Sequence, residues 1–231
     1  LLIGNYDRAE EYNAKALAHA EANDERRYRG SYLSDRGQIL AARGRRSEAI
    51  ETLKSSIAVA QEFGDRLREG LRWGALGTIF LSTGEYDEAL RYARQSLGIF
   101  DEIGAVVKMV PQQTNVGTLH WLLGERREAE AAYRAAAALP TEGHHAYGAQ
   151  IMLGALTGDG ATLEAGLRNC QELLEKTPEL VEARYRYAFA LRAKGDERAE
   201  AEYERARSVC SLPGVVAVQD RIRSLLDVSA R

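Results

Sequence analysis

Apolar residues along this chain return every three or four positions over long stretches, and short polar or glycine-bearing links separate those stretches. Between Glu85 and Phe100, for example, Tyr86, Ala89, Leu90, Ala93 and Leu97 share one helical face. Glu85, Glu88, Arg91 and Arg94 occupy the other, with Glu88 three residues ahead of Arg91 in helix-supporting order. No stretch alternates with a period of two between hairpin turns, so strands are not required. The pattern predicts twelve helices, at 5–22, 25–43, 45–62, 66–83, 85–102, 106–123, 125–139, 145–157, 161–176, 179–194, 196–209 and 214–228. The links Asn23-Asp24, Gly64-Asp65 and Gly104-Ala105 are short, which makes consecutive helices antiparallel neighbours. The predicted fold class is all-α.

Glycines set the period. Gly4, Gly44, Gly84 and Gly124 stand 40 residues apart, and five residues after them come Ala9, Ala49, Ala89 and Ala129. Gly37, Gly77 and Gly117 form a second ladder at the same interval, each seven residues before a corner glycine. The first ladder is read as helix-turn-helix corners and the second as close helix crossings, where the absence of a side chain lets backbones approach.

Composition narrows the class. The 231 residues carry 31 Lys plus Arg against 34 Asp plus Glu, a formal charge of -3, so no basic excess steers the chain toward phosphates. Nucleic acid contact is not expected. Nor is a membrane span, because no apolar run approaches about 20 residues. Twenty-one Gly with only 4 Pro suits a helical chain that turns at glycine. Cys170 and Cys210 cannot make a disulfide framework, and no signal sequence opens the chain, so a reducing cytoplasmic setting is the default.

Gly84-Glu-Tyr-Asp-Glu-Ala-Leu-Arg-Tyr-Ala-Arg-Gln-Ser-Leu97, with Trp73, Leu76, Gly77 and Phe80 upstream, resembles the turn and flanking helices of the tetratricopeptide repeat family. Gly195-Asp196, Ala199, Tyr203 and Ala206 repeat the pattern with one residue missing from the turn, and Pro178 matches the family's repeat-ending proline. The 40-residue interval is longer than the family's commonest 34 and is similar to the long-helix variant of kinesin light chains and bacterial signalling proteins. The resemblance implies a right-handed superhelix of helix pairs in one domain over 1–231, with long-period repeats at 1–157, shorter ones at 158–211 and a capping helix at 212–231. Val216, Val218, Ile222, Leu225 and Leu226 supply the apolar stripe of that last helix. Leu1-Leu2-Ile3-Gly4 lines up with Trp121-Leu122-Leu123-Gly124, so the chain is expected to be a fragment of a longer protein.

By the same resemblance the first helix of each pair lines an inner groove. That places Ser34, Asp35 and Gln38, then Gly74 and Thr78, then Thr114, Asn115, Thr118 and Trp121, and last Tyr185, Arg186, Phe189 and Arg192 on the binding surface. Amides that hold an extended backbone, aromatic contacts and forked arginines suit a polypeptide ligand. Trp121 stands open between groove and core, whereas Trp73 falls at a core position. Asn115 matches the asparagine of carboxylate-clamping members, but none of Lys15, Lys54, Lys108, Lys176 and Lys194 falls at a clamp position.

Other constellations fail on spacing. His144 and His145 sit in a loop-like stretch, and two adjacent imidazoles bind a metal only where another ligand converges, so they are read as solvated loop and no metal or cofactor is expected. Gly158-Asp159-Gly160 lacks a following Gly-Lys-Ser/Thr and is read as a turn. Arg43, Arg45, Arg46, Arg126 and Arg127 alternate with glutamates and are read as a salt-bridged surface. No acid, base and nucleophile converge, so the chain is not expected to be an enzyme. The expected function is a protein-interaction scaffold binding a peptide or helix, or packing against another copy. The alternative is a ligand-sensing or regulatory arm of a bacterial multidomain signalling ATPase or transcriptional regulator, a reading helped by 26 Arg against 5 Lys.

Overall fold

The computed structural model describes residues 6–141, 143–210 and 213–229. These form twelve helices: α1 (Tyr6–Ala22), α2 (Arg26–Ala42), α3 (Arg46–Glu62), α4 (Arg66–Thr83), α5 (Tyr86–Glu102), α6 (Val106–Leu122), α7 (Arg126–Ala138), α8 (His144–Thr157), α9 (Gly160–Lys176), α10 (Val181–Ala193), α11 (Ala199–Val209) and α12 (Pro213–Ser229). No strand occurs among the described residues, and none of their helices is long and apolar enough to cross a membrane. The chain divides into two compact units, one holding α1–α5 and the other α6–α11 with α12 from Val215 onward. The division falls inside the stretch of 40-residue period.

The corner glycines adopt the left-handed conformation that glycine enters without a Cβ penalty: Gly44, Gly84 and Gly124 have φ of 75°, 85° and 81°. Gly4 lies outside the described residues. Asp24, Gly64 and Gly104 make equivalent turns at φ of 53°, 63° and 64°. Left-handed residues therefore recur every twenty positions from 24 to 124, and the 40-residue repeat is two helix-plus-turn units of equal length. At each glycine corner of this series the following residue donates its N–H to the carbonyl five residues back, as Glu85 does to Phe80 at 3.0 Å and Ala105 to Phe100 at 2.8 Å. This closure satisfies carbonyls that a helix end leaves orphaned.

The second ladder marks close crossings. A Cβ on Gly37 would stand 2.6 Å from Leu53 Cγ, and one on Gly117 would stand 2.7 Å from the Tyr133 ring. Gly77 is less crowded, at 3.3 Å from the Ala89 carbonyl. Ala49, Ala89 and Ala129 are fully buried opposite them, while Ala9 is half-buried.

In the first unit Leu40, Ala49, Leu53, Ile57, Leu76, Ile79 and Tyr92 form a continuous core, with Trp73 and Phe80 packed against it. Trp73 stacks on Tyr92 with ring centroids 5.5 Å apart. The arginine-rich corners are ion-paired: Arg45 meets Glu48 at 2.5 Å and Arg43 meets Glu10 at 3.1 Å. Such exposed pairs each contribute about 0–1 kcal/mol, so packing rather than charge holds the unit.

The second unit is built on α8, which packs against α6, α7, α9 and α10. Its contact with α9 is the tightest approach: a Cβ on Gly154 would lie 2.5 Å from the Leu163 backbone nitrogen. Gly158 turns the chain at φ 75°, and Asp159 caps α9 by accepting from Ala161 N and Thr162 N. Gly195 ends α10 at φ 71°. From α12, Val218, Ile222 and Leu225 are buried.

Candidate functional site

The residues expected to line a groove divide between two environments. In the first unit Ser34 is half-buried, and Asp35, Gln38 and Thr78 are exposed. Gln38 and Thr78 occupy the same register position, forty residues apart on α2 and α4. Thr78 spends its hydroxyl hydrogen on the Gly74 carbonyl, at 3.1 Å. In the second unit Thr114, Thr118, Trp121, Tyr185 and Phe189 are buried, while Asn115, Arg186 and Arg192 are half-buried.

Packing of the second unit explains that burial. Thr118, in register with Gln38 and Thr78, accepts a hydrogen bond from Tyr133 at 3.0 Å. Trp121 makes T-shaped contacts with Tyr133 and with Phe189, with centroids 6.2 and 6.3 Å apart. Where the sequence left Trp121 open between groove and core, the structure places it in the core. Arg186 lies over Gly148, and its guanidinium donates to Met152 Sδ at 3.4 Å. Arg192 lines a shallow pocket between α10, α11 and α12, with Tyr185, Phe189, Tyr203 and Arg223. Among the described residues the buried Tyr185 hydroxyl has no hydrogen-bond partner.

Two charged side chains of the first unit were missed by sequence reasoning. Glu69 is only 4% exposed and accepts from Gln61 at 2.8 Å and from Arg66 at 2.5 Å. Burial alone would raise its carboxyl, but hydrogen bonds from Gln61, Trp73 and Arg66 outweigh it and hold the group below the usual carboxylate range. Arg72 is only 3% exposed, and among the described residues no carboxylate lies within 4 Å of its guanidinium. Burial and the neighbouring Arg68 lower its pKa, against the more distant attraction of Asp65 and Asp35. Although Asp35 is exposed at its surface, partial desolvation by its neighbours raises its carboxyl, in spite of Arg72. A signal existed: in register with Arg72 stand Tyr32 and Gln112, so this position is polar-headed in three successive repeats.

The histidine pair differs from its expectation. His144 and His145 begin α8 rather than sitting in a loop, and Glu182 of α10 converges on them. His144 Nε2 stands 3.3 Å from Glu182 Oε2, and the two imidazole centroids are 3.9 Å apart. One ligand atom from each of the three lies within 4.8 Å of the others. Burial, then the neighbouring His144, pushes the His145 ring down to about 4.

Residues 33–102 match the tetratricopeptide repeat family model. No sequence among the curated proteins matches. Among solved structures, BtubC (BKLC) from P. vanneervenii is similar over 89% of this chain and 91% of its own, at 18% identity and a TM-score of 0.66. A Rap protein complexed with competence and sporulation factor is similar over 86% of this chain, at 19% identity and a TM-score of 0.69. Aspartyl phosphate phosphatase F from Bacillus subtilis is similar over 88%, at 13% identity and a TM-score of 0.56. The chain spans 57% of that Rap protein and 60% of that phosphatase. The segment 33–102 thus carries the tetratricopeptide repeat, and the fold is that of tetratricopeptide-type helical-repeat proteins.

Proposed function

We propose that this chain is a noncatalytic protein-interaction module and that the α2 and α4 faces of its first unit hold an extended polypeptide. The observation that carries the reading is Arg72, a side chain only 3% exposed whose guanidinium has no carboxylate in contact among the described residues. Holding a cation at low exposure without a close counter-charge costs stability, and a ligand carboxylate or carbonyl that reaches the guanidinium would recover it. Asp35, which interacts electrostatically with Arg72, and Gln38, three residues further along α2, offer backbone-binding groups, an acceptor and a donor-acceptor amide. The Rap protein solved with competence and sporulation factor supports a ligand-binding role for this fold. The free cysteines Cys170 and Cys210, both buried, fit a cytoplasmic setting.

A second reading makes the same surface the sensor of a bacterial regulatory arm, favoured by the likeness to that Rap complex. A nucleotide-binding or DNA-binding domain in the same gene product supports the arm, and its absence removes it.

The groove is tested by selecting peptides from a random displayed library on the wild-type chain. Arg72→Met and Gln38→Ala should each weaken the selected peptides by about tenfold, one lost charge-assisted or neutral hydrogen bond apiece, with circular dichroism unchanged. Equal affinity in both variants overturns the assignment.

A further inference from the structure

We propose that His144, His145 and Glu182 form a binding site for a divalent transition metal of the zinc class, tying the start of α8 to α10. Two imidazoles and one carboxylate are a donor set of borderline softness, suited to zinc and to its neighbours nickel and copper rather than to magnesium or calcium. Three protein ligands leave a fourth tetrahedral position for water.

The geometry is close to closed. His144 Nε2 and Glu182 Oε2 are already 3.3 Å apart, near the roughly 3.4 Å that separates two ligand atoms of a tetrahedral ion with bonds of about 2.1 Å. The ligand atoms of all three side chains lie within 4.8 Å of one another. His144 and His145 open a helix of 14 residues, and Glu182 stands in the first turn of a helix that packs directly on it. Sequence spacing hides the site, since Glu182 stands 37 positions after His145.

Two features oppose a cation, and they set the scale of affinity. Arg186 and Lys108 act electrostatically on His145, and a helix N-terminus carries a partial positive charge. Occupancy therefore depends on direct ligation rather than on the surrounding field, so the site should prefer ions that bind imidazole strongly and ignore magnesium.

The test is titration of the untagged chain with zinc chloride by calorimetry, repeated with magnesium chloride. The expected result is one zinc per chain, no heat with magnesium, and at least about tenfold weaker zinc binding in both His145→Gln and Glu182→Gln. Cobalt is the spectroscopic check: visible d–d absorption of tetrahedral intensity should appear in the wild type and vanish in Glu182→Gln. Wild-type zinc affinity in both variants, or no binding by the wild type at 1 mM zinc (an order-of-magnitude ceiling for a useful site, about 4 kcal/mol), overturns the proposal. Circular dichroism of each variant separates lost ligation from lost fold.

Discussion

Ser96 of α5 donates its hydroxyl to the Gly70 carbonyl of α4 at 2.7 Å, inside the first unit. Forty residues earlier Ser56 and Gly30 repeat the bond at 2.5 Å. Forty residues later the pair is Val110 and Ala136, which are buried and apolar together. The glycine and the serine change as a set because the approach leaves no room for a side chain: a Cβ on Gly70 would meet Phe100 Cε1 at 2.6 Å. Ser96→Ala should cost about 1 kcal/mol, the net worth of one buried hydrogen bond. Gly70→Ala should cost more, about 1–3 kcal/mol through overpacking. Urea unfolding of both variants checks the order, and a smaller loss for Gly70→Ala would show that the Phe100 ring simply moves aside.

Glu69 should make the first unit sensitive to acid. Its folded pKa lies below the ordinary value of 4.5, so the stability it contributes is present above the unfolded value and is lost as pH falls through the folded one. Glu69→Gln removes a nearly buried carboxylate with charged and neutral donors, and should cost about 1–3 kcal/mol at pH 7. The measurement is thermal unfolding from pH 7 to pH 3. The variant should show a shallower decline below pH 5, and parallel curves for the two chains would remove Glu69 as the cause.

How much of this was legible in the sequence depends on whether a contact repeats. The corners stand at Gly44, Gly84 and Gly124 as the period predicts, and helix boundaries fall within three residues of expectation, because each repeat states the same local rule again. Glu69 and Arg72 were not legible as charges. Their counterparts one repeat earlier, Arg29 and Tyr32, differ in charge, so the period points to a polar head at Arg72 but not to the charge at either position. The burial of Thr118 and Trp121 was hidden for the same reason. It depends on Tyr133, where the preceding repeats carry Leu53 and Ala93, and on Phe189, some seventy residues along the chain. The convergence of Glu182 on two histidines likewise required the α8–α10 packing, which no spacing rule encodes.

Arg72→Met separates a residue kept for binding from one kept for stability. The methionine retains much of the apolar stem and removes a cation held at low exposure without a carboxylate in contact among the described residues. Stability should stay level or rise by about 1 kcal/mol. A loss of more than about 1 kcal/mol in chemical denaturation would instead make the distant attraction to Asp35 and Asp65 structural.

Cys170 should be inert. Its side chain is fully buried, and that burial, opposed only by Arg186, pushes the thiol up to about 12. At pH 8 the thiolate fraction is then on the order of one in ten thousand. Labelling with a disulfide reagent should be at least about a hundredfold slower than in urea-unfolded chain. Mass spectrometry after partial reaction identifies the site, and fast labelling of Cys170 in the folded chain would contradict its burial.

Trp121 provides the control for any binding experiment. The indole is 5% exposed and in T-shaped contact with both Tyr133 and Phe189, so Trp121→Ala removes a buried aromatic from the centre of the second unit. The cost should be about 3–5 kcal/mol, with a lower melting temperature and a weaker helical signal. Tyr185→Phe should behave in the opposite way. It deletes a buried hydroxyl that has no partner among the described residues, and stability should hold or improve by about 1 kcal/mol. A partner lost by Trp121→Ala but retained by Tyr185→Phe therefore reports damage to the second unit. A partner lost by Arg72→Met at unchanged melting temperature reports a contact in the first.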